Sequence, residues 1–329
     1  LQSLSKNIGK ISKNRHSKIG KKADRMINQF QKEAPVLPTD IPLDPALFYK
    51  DFGLLRHPNT GKIVKDLTAY QYELWENGHR YNYRLVVKSQ KTGITTSVLI
   101  EDFQKAITTC AGKEILIIAQ SNDHAKEHIY TLRKMIKASK KYRDFLIDKP
   151  TDILLRDEVT KVMTIYLHNP KDPFRPTRII GLGPNPASIW SWKEVAHIHM
   201  SDIVVVTTVD DSEIFGAAFS RLANTRGSMV IETPPRKPSG KVFEIYEASE
   251  LKKEDKKSRE AVESQFKIMK IPAAWAVEAG LITKEFLEGE RVRLGPMYGM
   301  YYECEFYNSA STWYKPEYFH YTKDNEMID

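Results

Sequence analysis

Lys88, Ser89, Gln90, Lys91, Thr92, Gly93, Ile94, Thr95 and Thr96 follow one another in the chain, and their side chains suit anion binding. Two ammonium groups can neutralise phosphate charge. A glycine lets backbone N–H groups turn towards an anion, and a hydroxyl beyond it can stand on the Mg²⁺ side of that anion. The standard phosphate-binding loop ends in Gly-Lys-Ser/Thr. Here the tripeptide is Gly93-Ile94-Thr95, and the lysines, Lys88 and Lys91, stand in front of the glycine. The plainer reading is a strand-to-helix turn with Thr95 or Thr96 as the helix cap.

Phosphoanhydride cleavage also needs a carboxylate at a neighbouring strand end, a group that orients water, and a sensor for the γ-phosphate. His197-Ile198-His199-Met200-Ser201-Asp202 reads as a strand ending in an acid, and Asp202 can serve the metal or the water. Asp210, Asp211 and Glu213 follow within one loop and are candidates for a second carboxylate. Met229-Val230-Ile231-Glu232-Thr233-Pro234-Pro235 reads as a buried strand that delivers the Thr233 hydroxyl to the sheet edge. Ahead of the loop, the Gln71 amide can read an adenine edge, with Tyr70 as a stacking surface. The plainer readings are a turn cap for Asp202 and a proline-broken strand end for Thr233. His197 and His199 share a strand face, but no third ligand is placed beside them, which argues against a metal site there.

The elements that must hold these residues follow from periodicity. Tyr83–Lys88 reads as a strand, 95–110 as a helix, 114–120 as a buried strand and 121–141 as a helix capped by Ser121 or Asn122. Segments 159–167 and 177–183 read as two strands of a hairpin-like insertion. Val195–Met200 is a strand, 212–223 a helix and 228–232 a strand. A helix over 68–78 opens with a Thr68 cap and closes at Gly78. Further on come a helix over 240–261, a strand over 264–271, a helix over 283–293 and a short aromatic strand over 300–306. Such alternation implies crossovers and a mainly parallel α/β sheet with helices on both faces. Ligands of such sheets bind off the carboxyl ends of the strands, where the Lys88–Thr95 loop falls.

The chain has 329 residues, 41% hydrophobic and 28% charged, the balance of a globular protein. No apolar run reaches the ~18–20 residues of a membrane span, and two distant cysteines, Cys110 and Cys304, cannot build a disulfide framework. Of the net charge of +8, +7 lies in residues 1–25. Residues 1–30 therefore read as a basic leader, able to attract nucleic acid or simply solvated, with a short amphipathic helix over 25–33. Residues 31–62 read as a proline-rich extended linker, since prolines 35, 38, 42 and 45 oppose helix.

Together these stretches resemble the ATPase domain of the large subunit of viral terminases, the motors that package DNA into capsids. The resemblance runs through YQYELW, KSQKTGITTS, IHMSD and ETPPRKPSGKVFEIYE. It ends at GMYYECEF, which looks like the family's EYxCEF stretch, and covers about residues 63–307. It implies a three-layer RecA-like P-loop fold of the additional-strand class, with ATP and Mg²⁺ as cofactors. Lys88 takes the displaced lysine role with Lys91 second, and backbone amides of 89–95 hold phosphate. Thr95 and Asp202 stand beside Mg²⁺, Gln71 reads adenine, and Thr233 couples. Arg221, Arg226 and Arg236 are candidates for an arginine acting on a neighbouring subunit's site.

The same resemblance implies double-stranded DNA, a homo-oligomeric ring, a small terminase subunit and a portal as partners. It places the protein in the host cytoplasm, at the procapsid. Two departures stand out. Ser201-Asp202 replaces the family's Asp-Glu, and the 23 residues after Phe306 are too few for the nuclease domain that follows in terminases. Residues 308–329 are then a tail leading towards a nuclease that is cut off or separate. The rivals are a helicase-like ATPase and a catalytically inactive P-loop domain that serves as a DNA-binding scaffold.

Overall fold

In chain order the elements are α1 (Pro45–Phe52), the two-residue strands β1 (Leu55–Arg56) and β2 (Ile63–Val64), α2 (Ala69–Arg80), β3 (Tyr83–Lys88), α3 (Ile94–Ile107), β4 (Glu114–Ala119) and α4 (Asn122–Ala138). Then follow β5 (Thr164–Leu167), β6 (Thr177–Leu182), α5 (Pro186–Trp190), β7 (Val195–Ser201), α6 (Asp211–Phe219) and β8 (Ser228–Thr233). The last are α7 (Lys241–Leu251), β9 (Lys267–Ile271), α8 (Ala273–Glu278), α9 (Lys284–Leu294) and α10 (Tyr298–Tyr302). The structure, a computed structural model, describes residues 35–52, 55–56, 63–64, 66–147, 163–172, 174–205, 209–251 and 265–306. The basic leader, the helix expected over 25–33 and the tail over 308–329 lie outside those residues.

Seven strands form one sheet in the order β5-β6-β4-β7-β8-β3-β9. Only β5 runs antiparallel, against β6; the other neighbours are parallel. Strand β3 thus sits between β8 and β9, with β7 beyond β8, and the chain must cross over between parallel neighbours. Period-two side chains feed two cores: in β4, Leu116 and Ile118 join one, while Ile115 and Ile117 join the other. The first core is closed by Ile214, Ala217 and Ala218 of α6 with Val242 and Ile245 of α7. The second is closed by Leu99, Ile100 and Phe103 of α3 with Ile129, Leu132 and Ile136 of α4. Burial on both faces is what makes the strands read as continuous apolar runs.

Three expectations are corrected. The proline-rich stretch is not extended to its end: Pro45 is the first residue of α1, where a missing N–H costs nothing, and Asp44 Oδ1 accepts from Leu47 N at 2.8 Å. Phe48 and Phe52 of that helix are buried against Phe103 and Tyr142, so residues 45–52 belong to the core. The aromatic run over 300–306 is no strand; Tyr298–Tyr302 is a short helix whose Tyr298 and Tyr302 pack together. Its aromatics are buried by i, i+4 stacking rather than by a ladder. Helix α2 also runs two residues past Gly78, which does not end it: the glycine is needed there because a side chain would collide with the buried Glu101–Arg84 pair.

Candidate active site

The loop between β3 and α3 takes its shape from local chemistry. Ser89 N donates to Ile271 O on β9 at 2.9 Å, and Thr92 Oγ1 donates back to Ser89 O at 3.1 Å, so both side chains are buried. Gln90 N donates to Tyr301 O in α10 at 3.2 Å. Lys91 is exposed with φ of 62°, and Gly93 has φ of 72° as the residue that opens α3. That left-handed region suits glycine. An added Cβ at Gly93 would stand 2.9 Å from Gln71 Nε2. Ile94 is buried, and Thr95 and Thr96 begin the helix half-buried.

Lys88 ends β3 and turns its ammonium into a cluster of oxygens. Its Nζ lies 2.9 Å from Glu232 Oε2, 3.1 Å from Asp202 Oδ1 and 3.3 Å from Thr95 Oγ1. Thr95 Oγ1 in turn donates to Glu232 at 3.1 and 3.3 Å to its two oxygens. Strand order explains the meeting. Ser201 on β7 and Val86 on β3 both pair with Glu232 on β8, so the three lie side by side on one face, under the first turn of α3. Burial works to lower the Lys88 pKa, but Glu232 and Asp202 overcome it and hold it above the ordinary lysine value.

Below the loop the polar side chains continue. His197, His199 and Ser201 alternate along β7, and Asp102 lies two turns past Thr95 along α3. His199 Nδ1 meets Asp102 Oδ2 at 2.7 Å, and its Nε2 lies 3.4 Å from Glu232 Oε1. His197 Nε2 is 3.2 Å from Asp102 Oδ1 and its Nδ1 is 2.6 Å from Ser228 Oγ. Ser201 Oγ donates to Glu232 Oε1 at 2.5 Å and lies 3.1 Å from His128 Nε2. His197, His199, Asp102 and Glu232 are all fully buried. The two histidines thus share a carboxylate, and among the described residues no group of three or more His, Cys, Asp or Glu is arranged to hold a metal. Burial pulls the imidazoles down, and His197 falls to about 4; for His199 the two neighbouring carboxylates prevail and its pKa rises to about 9. Burial pushes the Glu232 carboxyl up, but Lys88 and His199 outweigh it and set its pKa below the usual range.

Asp202 differs from Glu232 in almost every respect. It follows β7 with φ of 53°, its side chain is 31% exposed, and burial together with the Glu232 charge raises its pKa. Its Oδ1 contacts Lys88 without an aligned hydrogen bond. It borders an open cavity of about 350 Å³ shared with Lys88, Ser89, Gln90, Lys91 and Arg236. Thr233, fully buried, ends β8 with its hydroxyl on Pro234 O at 3.2 Å.

The remaining candidates fall elsewhere. Asp210 caps α6 through Ser212 N at 2.9 Å, and Asp211 accepts from Lys241 N and Val242 N at the start of α7. Glu213 lies in the first turn of α6. Arg221 donates to the carbonyls of Trp190 and Trp192, and Arg226 sits in the turn before β8, at the strand's other end. Gln71 completes a capping box with Thr68, and its Nε2 reaches the carbonyls of Thr92 and Gly93 at 3.4 Å. It therefore ties α2 to the loop. A second cavity of about 620 Å³ opens between α2 and α8, lined by Tyr70, Trp275 and Leu281. Glu232 escaped the sequence reading, although an acid next to the last residue of an otherwise apolar strand was a usable signal.

The parallel sheet with β8 between the loop strand and β7, and the loop leading into α3, define the RecA-like α/β fold of large-terminase ATPase domains. The Thermus phage P74-26 large terminase ATPase domain superposes with a TM-score of 0.58 at 11% identity, covering 83% of this chain and 100% of that one. The HK97 bacteriophage large terminase gives 0.57 at 9% identity over 80% of this chain and 55% of its own. The large terminase of a thermophilic bacteriophage, solved in complex with ADP, gives 0.50 at 12% identity over 73% of this chain and 53% of its own. The chain thus spans about half the length of these two longer terminases. No protein-family model and no curated protein matches it.

Proposed function

We propose that this chain is a Mg²⁺-dependent ATPase of the terminase large-subunit type, a motor domain that moves double-stranded DNA. The observation that carries the reading is Lys88 Nζ held by Glu232 and Asp202 with the Thr95 hydroxyl below, at the carboxyl edge of β3, β7 and β8. A lysine and an acid on an open cavity, with a buried acid and a helix-start hydroxyl behind the lysine, are the groups that phosphoryl transfer uses.

The Thr95 hydroxyl and the Glu232 carboxylate meet as hard oxygens at one point, and so fit Mg²⁺. Bound there, the ion would supply charge neutralisation at the phosphate oxygens. Lys88 turns from the acids to the phosphates when nucleotide enters, which also frees the acids. Asp202, with its raised pKa and its place on the cavity, is the residue suited to orient and deprotonate water. Arg236 lines the same cavity and can contribute charge in its own subunit; Arg221 and Arg226 remain candidates for a neighbour's site in a ring. The adenine would stack in the Tyr70–Trp275 cavity beside Gln71, and Thr233 would pass on the loss of the γ-phosphate along β8. The portal, small-subunit and procapsid roles follow from the family likeness alone.

The test is steady-state ATP hydrolysis with Mg²⁺, with and without duplex DNA. Turnover that rises with duplex DNA supports the motor reading. Turnover stimulated only by single strands, with unwinding, would favour a helicase-like ATPase. DNA binding with no turnover would favour an inactive scaffold.

A further inference from the structure

The sequence leaves one acid, Asp202, at the end of β7 where two tasks need carboxylates, and the fold supplies the second from the next strand. We propose that the metal-side carboxylate is Glu232 on β8, held in place by Ser201, His199 and Asp102, and that Asp202 is left to orient the attacking water. The inference rests on the ATPase reading and assigns the work within its site.

Three observations carry it. First, the acid that shares a cation with the helix-start hydroxyl must touch that hydroxyl, and both Glu232 oxygens lie within 3.3 Å of Thr95 Oγ1. The Asp202 carboxylate contacts Lys88 instead. Second, Ser201 stands in register with Glu232 on the neighbouring strand. Parallel strands lie about 4.8 Å apart, so a glutamate, one methylene longer than aspartate, can bring its carboxylate over a serine. A carboxylate at position 201 would instead put two like charges in one buried space. The Ser201 hydroxyl donates to Glu232 Oε1 at 2.5 Å and so completes the exchange.

Third, Glu232 is braced from behind. His199 Nε2 faces Glu232 Oε1 at 3.4 Å while its Nδ1 is fixed by Asp102 Oδ2 at 2.7 Å. A ring held at both nitrogens orients the acid, as partners of ligating groups do in metal sites generally. His199 and Asp102 are therefore positioning residues. Asp202 has no such brace, lies 31% exposed and borders the cavity from which water must come.

The test is Mn²⁺ binding, followed by electron paramagnetic resonance with a non-hydrolysable ATP analogue, alongside melting curves that confirm folding. Glu232→Gln should weaken Mn²⁺ binding by roughly 10²-fold, and His199→Gln by about 10-fold, the scale of losing an outer partner. Asp202→Asn should leave Mn²⁺ affinity within about threefold while losing turnover. The exchange variant, Ser201→Asp with Glu232→Ser, should recover Mn²⁺ affinity because the acid returns to β7. Loss of Mn²⁺ binding in Asp202→Asn with retention in Glu232→Gln would overturn the assignment. A folded exchange variant that stays as weak as Glu232→Gln would overturn it too. Wild-type protein that binds neither the analogue nor Mn²⁺ would instead refute the ATPase reading itself.

Discussion

The Lys88 ammonium lies 2.9 Å from Glu232 Oε2, a contact between a strand end and the neighbouring strand, far apart in the chain. With Asp202 at 3.1 Å on the other side, the lysine holds two acids together. Lys88→Ala should therefore cut turnover by ~10²-fold or more, because a charge aimed at the phosphates is lost. Lys91→Ala should be milder, since Lys91 is exposed and outside the cluster. Steady-state kinetics of both variants decide it; equal losses would place the phosphate lysine wrongly.

Gly93→Ala is expected to distort the loop. The residue sits at φ of 72°, and its new Cβ would press on Gln71 Nε2, which the capping box with Thr68 holds in place. The left-handed conformation alone costs about 1–2 kcal/mol. Thermal melting should drop accordingly, and nucleotide affinity should fall with it. Unchanged melting and binding would mean that the loop relaxes freely.

Asp202→Asn should keep ATP bound while turnover falls by ~10²-fold or more, the scale of losing a positioned base. Asp210→Ala should instead lower the melting temperature modestly as a lost helix cap, with turnover kept. Asp211→Ala should behave similarly through α7. Denaturation curves and kinetics on the three proteins separate cap from catalyst.

Acid should destabilise the fold through α3. Glu101 is fully buried; burial raises its pKa, but Arg84 at 2.6 Å and Lys105 at 2.9 Å outweigh that and lower it. A carboxylate held low contributes stability above its unfolded pKa of about 4 and loses it as pH falls towards the folded value. The melting temperature should then fall from about pH 4 downwards. Glu101→Gln, which strands Arg84, should cost about 3–5 kcal/mol at neutral pH and flatten the acid limb. An acid limb unchanged in that variant would assign the effect to other groups.

Deleting residues 1–25, which hold +7 of net charge, should weaken duplex DNA binding and flatten its salt dependence. The slope counts the phosphates neutralised. Binding titrations across a salt series measure it, and an unaltered slope would leave the leader without a role in DNA contact.

The sequence by itself determined the fold class and most of the elements. The apolar runs of β3, β4, β7 and β8, the caps at Thr68 and Ser121, and the Lys88–Thr95 loop are local facts, written in periodicity and side-chain chemistry. Two local readings went astray where packing outweighs composition: Pro45 starts a helix because Phe48 and Phe52 have a core to enter, and the Tyr298–Tyr302 aromatics stack within one turn. Which acid meets which hydroxyl was beyond any local rule. Glu232 lies 137 residues from Thr95 in the chain, and His199 lies 97 from Asp102. Only strand order, with β8 inserted between β3 and β7, brings these groups to one face. Asp210 and Asp211 looked equally suitable by type and spacing, yet helix starts claim their oxygens. A buried charge takes its role from the partners within a few ångströms, because in a weakly polarisable interior those partners decide whether it can stay ionised, and the tertiary structure alone chooses them.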